Sequence, residues 1–296
     1  LCSMKRRIEI DPGAGPCFGV QRAIQMADDL LNKQSTLACL GDLIHNEEEI
    51  NRLINKGLKI VSHCQLVEQS GKKMLIRAHG EPPSTFRIAS NFDVEIMDAT
   101  CPIVKKLQNT VRQSCLKMKE INGQVILFGD IYHAEVIGLK GYCSGEFHIV
   151  RNPEDLAYIS TQKPSVILSQ TTKYQSDYYK LIEAFKAKRE KEGANSYTLE
   201  VLDSFCKQVA QRDKQLIEFL QDKDILLFVS GKKSSNGNYL FTVGKKHVKS
   251  AYFISNAEEL DKKWFKQNQS IGISGATSTP LWLLENTKKK LEELLK

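Results

Sequence analysis

No CxxC pair occurs in this 296-residue chain, and its eight cysteines stand far apart, at positions 2, 17, 39, 64, 101, 115, 143 and 206. That excludes a zinc ribbon, a thioredoxin-type dithiol and a small disulfide-stapled domain. The spacing predicts a reducing cytoplasm with eight free thiols. Glycine (18) and proline (8) are too few for a fibre or a disordered tail. No apolar run approaches the roughly 18 residues of a membrane span. The opening LCSMKRRIEID is basic but has no long apolar stretch behind it, so it does not read as a signal peptide, and Met4 is a candidate start. Acidic residues are outnumbered, 35 against 42 Lys and Arg, giving a formal charge of +7. GxGxxG and GxxxxGKS are absent, which weighs against the common dinucleotide and P-loop sites.

What is present is ordinary globular material, 41% hydrophobic and 26% charged. At roughly 150 residues per domain, length alone suggests about two domains. Short, β-branched, almost continuously apolar runs alternate with helix-period stretches, from IEID (8–11) to SIGISG (270–275). Runs of that kind read as parallel strands buried on both faces, so the fold class is α/β with parallel sheets. LWLLENTKKKLEELLK, residues 281–296, reads as a C-terminal amphipathic helix.

The pattern also repeats. Cys17, Cys101 and Cys206 each follow a strand and open a helix, 84 and 105 residues apart. About 30 residues after each comes a strand ending in a polar loop: GDLIHN with His45, GDIYHAEVIG with His133 and Glu135, and GKKSSNGN with Ser234, Ser235 and Asn236. A second strand-to-loop junction follows in each third: IRAHG with His79, LSQTT with Thr171 and Thr172, and SGATSTP with Ser278. Each third has four strands if IEID is counted with the last. This predicts three similar α/β domains around a pseudo-threefold axis: 14–101, 102–205, and 206–281 together with the N-terminal strand 1–13, then the helix 282–296. Ligands of open α/β sheets sit beyond the carboxyl ends of the strands, where all these polar positions fall.

Free N–H groups and the helix dipole favour a thiolate at a helix start, and thiolates are the ligands of iron and zinc. Three thiolates with no fourth in the pattern suggest an iron–sulfur cluster with one open iron. Cys39, in a strand, and Cys115, in a helix, read as core; Cys2, Cys64 and Cys143 have no repeat partner. Asn46 with Glu49 looks like a capping box after His45. His133 and Glu135, two apart in a loop, would form a proton-transfer pair. SSNGN and Ser278 read as a phosphate cradle or, equally, as helix caps with Thr279 before Pro280; Thr171 and Thr172 carry the same ambiguity. Two other readings remain open at this point. One is a non-enzymatic iron–sulfur or metal module binding nucleic acid, although the basic residues are scattered. The other is a metal-free phosphate-ester transferase or isomerase using the His and Ser loops.

CFGVQRAI, GDLIHN, IRAHG, DATCPIVKK, HAEVIG, SQTT, CKQVAQR, GKKSSNGN and SGATSTP, in this order and over nearly the whole chain, resemble the LytB family of hydroxymethylbutenyl diphosphate reductases. The resemblance implies a trefoil of three α/β domains around a [4Fe–4S] cluster, with Cys17, Cys101 and Cys206 as ligands. It implies that His45, His79, Ser234, Ser235, Asn236 and Ser278 hold the substrate diphosphate with help from His133. It implies that Glu135 relays protons and that Thr171 positions the leaving hydroxyl. Reduced ferredoxin or flavodoxin would be the electron donor to a cytoplasmic monomer or weak dimer, with neither nucleic acid nor membrane as partner. The sequence departs from the family's common pattern at Pro16, Phe18 and Ala134.

Overall fold

The computed structural model describes residues 7–296. Cys2 and Met4, with the expectations attached to them, lie outside the described residues. The chain opens with β1 (Arg7–Ile10) and α1 (Phe18–Leu31). It continues with β2 (Leu37–Leu40), α2 (Glu47–Asn55), β3 (Leu58–Val61), β4 (Lys73–Ile76), α3 (Pro83–Asn91) and β5 (Glu95–Asp98). The next stretch is α4 (Pro102–Glu120), β6 (Gln124–Phe128), α5 (Ala134–Lys140), β7 (Glu146–Val150), β8 (Ser165–Ser169), α6 (Gln175–Lys191) and β9 (Leu199–Val201). The last comprises α7 (Lys207–Ala210), α8 (Arg212–Leu220), β10 (Ile225–Val229), α9 (Ser235–Gly244), β11 (Ser250–Ile254), β12 (Ser270–Gly275) and α10 (Leu281–Leu294).

Three four-stranded sheets form, in the orders β3-β2-β4-β5, β7-β6-β8-β9 and β11-β10-β12-β1. The order is the same each time: second, first, third, fourth. The fourth strand of the last sheet is β1, paired parallel to β12 with Ile10 opposite Ile273. The sequence repeat is therefore a repeat of topology.

Continuous apolar strands arise because helices cover both faces. In β10, Ile225, Leu227 and Val229 pack with Leu283, Leu284 and Leu291 of α10. The alternate residues, Leu226 and Phe228, pack with Leu216 and Leu220 of α8 and Leu240 of α9. In β6, Val125 and Leu127 meet Leu107 and Val111 of α4, while Ile126 and Phe128 meet Tyr178, Leu181 and Phe185 of α6. Each fully buried Leu or Phe contributes roughly 1.5–3 kcal/mol of transfer free energy.

Two compact units are distinguished among the described residues: 7–37, 42–59 and 211–296 in the first, and 38–41 and 60–210 in the second. No helix among the described residues is long and apolar enough to cross a membrane. One expectation is corrected here: the thiols are not all free. Cys115, on the inner face of α4, is joined to Cys143, in the turn after α5, with Cα atoms 5.4 Å apart. Their 28-residue separation gives no hint that two covering helices end side by side. Cys17, Cys39, Cys64, Cys101 and Cys206 lie outside this bond.

Candidate active site

One backbone device recurs where each fourth strand ends. The N–H of Cys17 donates to the Thr277 carbonyl (2.9 Å), that of Cys101 to Ala78 (3.0 Å) and that of Cys206 to Thr171 (2.8 Å). Each acceptor lies in the second polar loop of the same sheet. Each cysteine carbonyl then accepts the first helical bond, from Gln21, Lys105 and Ala210 respectively, all at 2.9 Å. All three cysteines are half-buried. Clipped behind by a loop and ahead by a helix, each thiol has a fixed Cα–Cβ direction at a helix start.

In the first unit the polar loops converge. Ser234 caps α9, its Oγ accepting from the Gly237 N–H at 3.1 Å. That Oγ lies 3.4 Å from the Ser278 Oγ, which donates to the His45 carbonyl at 3.1 Å. Asn236 Oδ1 accepts from both the N–H and the hydroxyl of Thr277 (3.0 and 3.1 Å). Its buried Nδ2 has no hydrogen-bond partner among the described residues, leaving a donor for an anion. Gly231 lets two loops of this cradle approach, since a Cβ there would lie 2.8 Å from the His45 carbonyl and 3.0 Å from the Asn46 Cα. Ser235 is exposed at the first turn of α9. Asn46 caps α2 through the Glu49 N–H (3.0 Å), but the Glu49 carboxylate turns to Arg52 and Trp282, so the expected capping box is only half formed. Thr279 does not cap α10; Pro280 holds that place, and the Thr279 hydroxyl donates to Val229. Behind Cys17, buried Asp11 accepts from Gly13 N–H and Ser274 (both 2.8 Å) and pairs with Arg212, fixing the turn out of β1.

In the second unit His133 is the N-cap of α5, its Nδ1 accepting from the Glu135 N–H at 3.2 Å. Its ring meets that of His79 edge-on, with centroids 5.4 Å apart. Glu135 lies in the first helical turn rather than in a loop, and it is buried. Its carboxylate accepts from Thr171, whose N–H reaches Oε1 (2.8 Å) and whose hydroxyl reaches Oε2 (2.7 Å). Burial pushes this carboxyl up from 4.5 to about 7, against the downward pull of the two Thr171 bonds. Neither Thr171 nor Thr172 caps α6; Tyr174 stands there. Thr277 and Ala78 were not singled out in the sequence. They act through backbone carbonyls, which every residue type possesses.

Fold and site together define a class: an α/β protein of three like parallel sheets, in which a cysteine follows the last strand of each. The chain belongs to the LytB protein family, whose profile matches residues 8–292. A relative from Phocaeicola vulgatus, named 4-hydroxy-3-methylbut-2-enyl diphosphate reductase, is 40% identical, covering 96% of this chain and 98% of its own. One of the same name from Bacteroides thetaiotaomicron is 39% identical, covering 98% and 99%. A solved structure of (E)-4-hydroxy-3-methyl-but-2-enyl diphosphate reductase, the terminal enzyme of the non-mevalonate pathway, matches with a TM-score of 0.73. It shares 30% identity over 97% of this chain and 99% of that one. The corresponding reductase structure from Plasmodium falciparum gives a TM-score of 0.82 at 26% identity, covering 98% and 88%.

Proposed function

We propose that this chain is an iron–sulfur reductase converting 4-hydroxy-3-methylbut-2-enyl diphosphate into isopentenyl and dimethylallyl diphosphate. This is the last step of the methylerythritol phosphate route to isoprenoids. The donor set fits a [4Fe–4S] cluster held by Cys17, Cys101 and Cys206. All three are thiols outside the disulfide, each directly before a helix, with no fourth cysteine in the repeat. When bound, the cluster supplies electrons and one Lewis-acidic iron.

The rest falls to the chain's own residues. His45, His79, Ser234, Ser235, Asn236 and Ser278, helped by His133, hold the diphosphate, with the Asn236 Nδ2 as a ready donor. Glu135 stores a proton. When it is protonated, its bond to Thr171 reverses, so that the carboxyl donates to the Thr171 oxygen and frees the threonine hydrogen for the leaving hydroxyl. Two electrons and two protons balance the step: the C–O bond breaks, one proton leaves in water, and the other forms the new C–H bond. Reduced ferredoxin or flavodoxin delivers the electrons.

The observation that carries the reading is the Cys206–Thr171–Glu135 chain, in which one threonine is bonded to a thiol-bearing residue and to a buried acid. Anaerobic turnover with a chemical reductant tests it. The expected outcome is brown protein yielding the two C5 diphosphates; iron-loaded protein that leaves the substrate unchanged would refute the reading. Colourless protein that transfers phosphate would favour the metal-free transferase instead.

A further inference from the structure

We propose that Glu81 is a positioning residue for this reaction, locking the turn that carries His79 against both the Cys101 helix start and the Glu135 helix. The inference rests on the reading above. Glu81 is 1% exposed. Its Oε2 lies 2.7 Å from His63 Nε2 and accepts from the Thr85 hydroxyl at 3.2 Å, and its Oε1 forms an ion pair with Arg77 Nη2 at 2.9 Å without hydrogen-bond geometry. A buried carboxylate is costly to desolvate and is stable only when such partners surround it. These partners come from before β4, from its end and from α3, so one side chain ties both flanks of the His79 turn.

That turn is a hub. The Gly80 N–H closes on the Arg77 carbonyl at 3.1 Å, and Gly80 has φ +76, a conformation that favours glycine. A Cβ at Gly80 would lie 2.4 Å from Gln108 Nε2 and 3.0 Å from the Thr100 methyl, beside Cys101. Ala78 accepts the Cys101 N–H at 3.0 Å. On its other side the turn receives α5. A Cβ at Gly138 would lie 3.6 Å from the Gly80 carbonyl, one at Gly141 would lie 2.3 Å from the Pro82 Cβ, and the Tyr142 hydroxyl donates to the Glu81 carbonyl at 3.3 Å. The same α5 begins at His133, whose ring meets His79, and carries Glu135. Displacing Glu81 therefore moves His79 relative to the helix that supplies the proton.

The test compares Glu81→Gln with the wild type and with Leu66→Ala, a core truncation under the same sheet. Loss of one charge-assisted contact to the diphosphate predicts a KM raised about tenfold with kcat changed less than about threefold. Binding of inorganic pyrophosphate to the iron-loaded protein should weaken by the same factor. Leu66→Ala should lower the folded, active fraction and leave KM alone. A Glu81→Gln variant that behaves like Leu66→Ala overturns the inference. If Glu81→Gln fails to fold, Thr85→Val carries the test: a KM about threefold higher supports the inference, and an unchanged KM overturns it. A wild type that binds pyrophosphate but does not turn over refutes the proposed function, while the pyrophosphate comparison still decides the role of Glu81.

Discussion

A buried carboxyl group whose two oxygens accept hydrogen bonds from one threonine titrates unlike a carboxyl in water. Glu135 is such a group. Its folded value is raised from 4.5 to about 7. Between those values the folded chain keeps a proton that the unfolded chain has released. The stability contributed by Glu135 is therefore complete below about 4.5, falls as pH rises, and levels off above about 7. Glu135→Gln removes that slope. In urea titrations from pH 5 to pH 8, wild-type stability should decline relative to the variant through this window; a relative rise would place the carboxyl below its ordinary value. The same variant should retain its iron and lose most turnover. Cys101→Ser should lose the brown colour on anaerobic purification, and a Cys101→Ser protein with undiminished iron would remove Cys101 from the ligand set. These residues were legible because their chemistry resides in side chains at a recurring place. The clip from Thr277, Ala78 and Thr171 was not, because a carbonyl leaves no mark on residue identity.

Strand cores were legible and strand ends were not. DILLFVSG reads as a strand over 224–231, yet β10 stops at Val229; TLEVLDSF reads as 198–205, yet β9 covers Leu199–Val201 alone. After β10 the chain turns off at Ser230 and Gly231, whereas beyond β9 the Leu202 N–H still donates to the Ile167 carbonyl (3.0 Å) before Asp203 and Ser204 lead to Cys206. The helix expected after Cys206 breaks into α7 and α8, whereas those after Cys17 and Cys101 are continuous. The Cys115–Cys143 bond ties α4 to the turn after α5, closing a loop of 28 residues. Removing such a bond costs about 2–4 kcal/mol. Cys143→Ser should lower the urea midpoint accordingly. Intact-mass measurement after alkylation should also find two fewer modified sulfurs in the unreduced wild type than in the reduced protein. Equal alkylation would contradict the bond.

At the scale of the whole chain, the three-part order was the most legible feature, because a repeat of topology forces a repeat of spacing. Length alone suggested two domains; the recurring strand–loop–cysteine order pointed to three sheets, and three sheets of one strand order are present. As the count of four strands per third requires, the first strand belongs to the last sheet, and it leads into Cys17. Deleting residues 1–10 should therefore lower retained iron as much as Cys17→Ser does, and iron equal to wild type would show that β1 is not needed to place that thiol. Three helix-opening cysteines would leave one iron of a [4Fe–4S] cluster open to substrate. The Mössbauer spectrum of the anaerobically reconstituted chain, with and without 4-hydroxy-3-methylbut-2-enyl diphosphate, reads out that open site. One of four iron sites should change on addition of substrate while the other three hold their parameters. A spectrum that substrate leaves untouched, or a chain that retains no iron, would contradict the account.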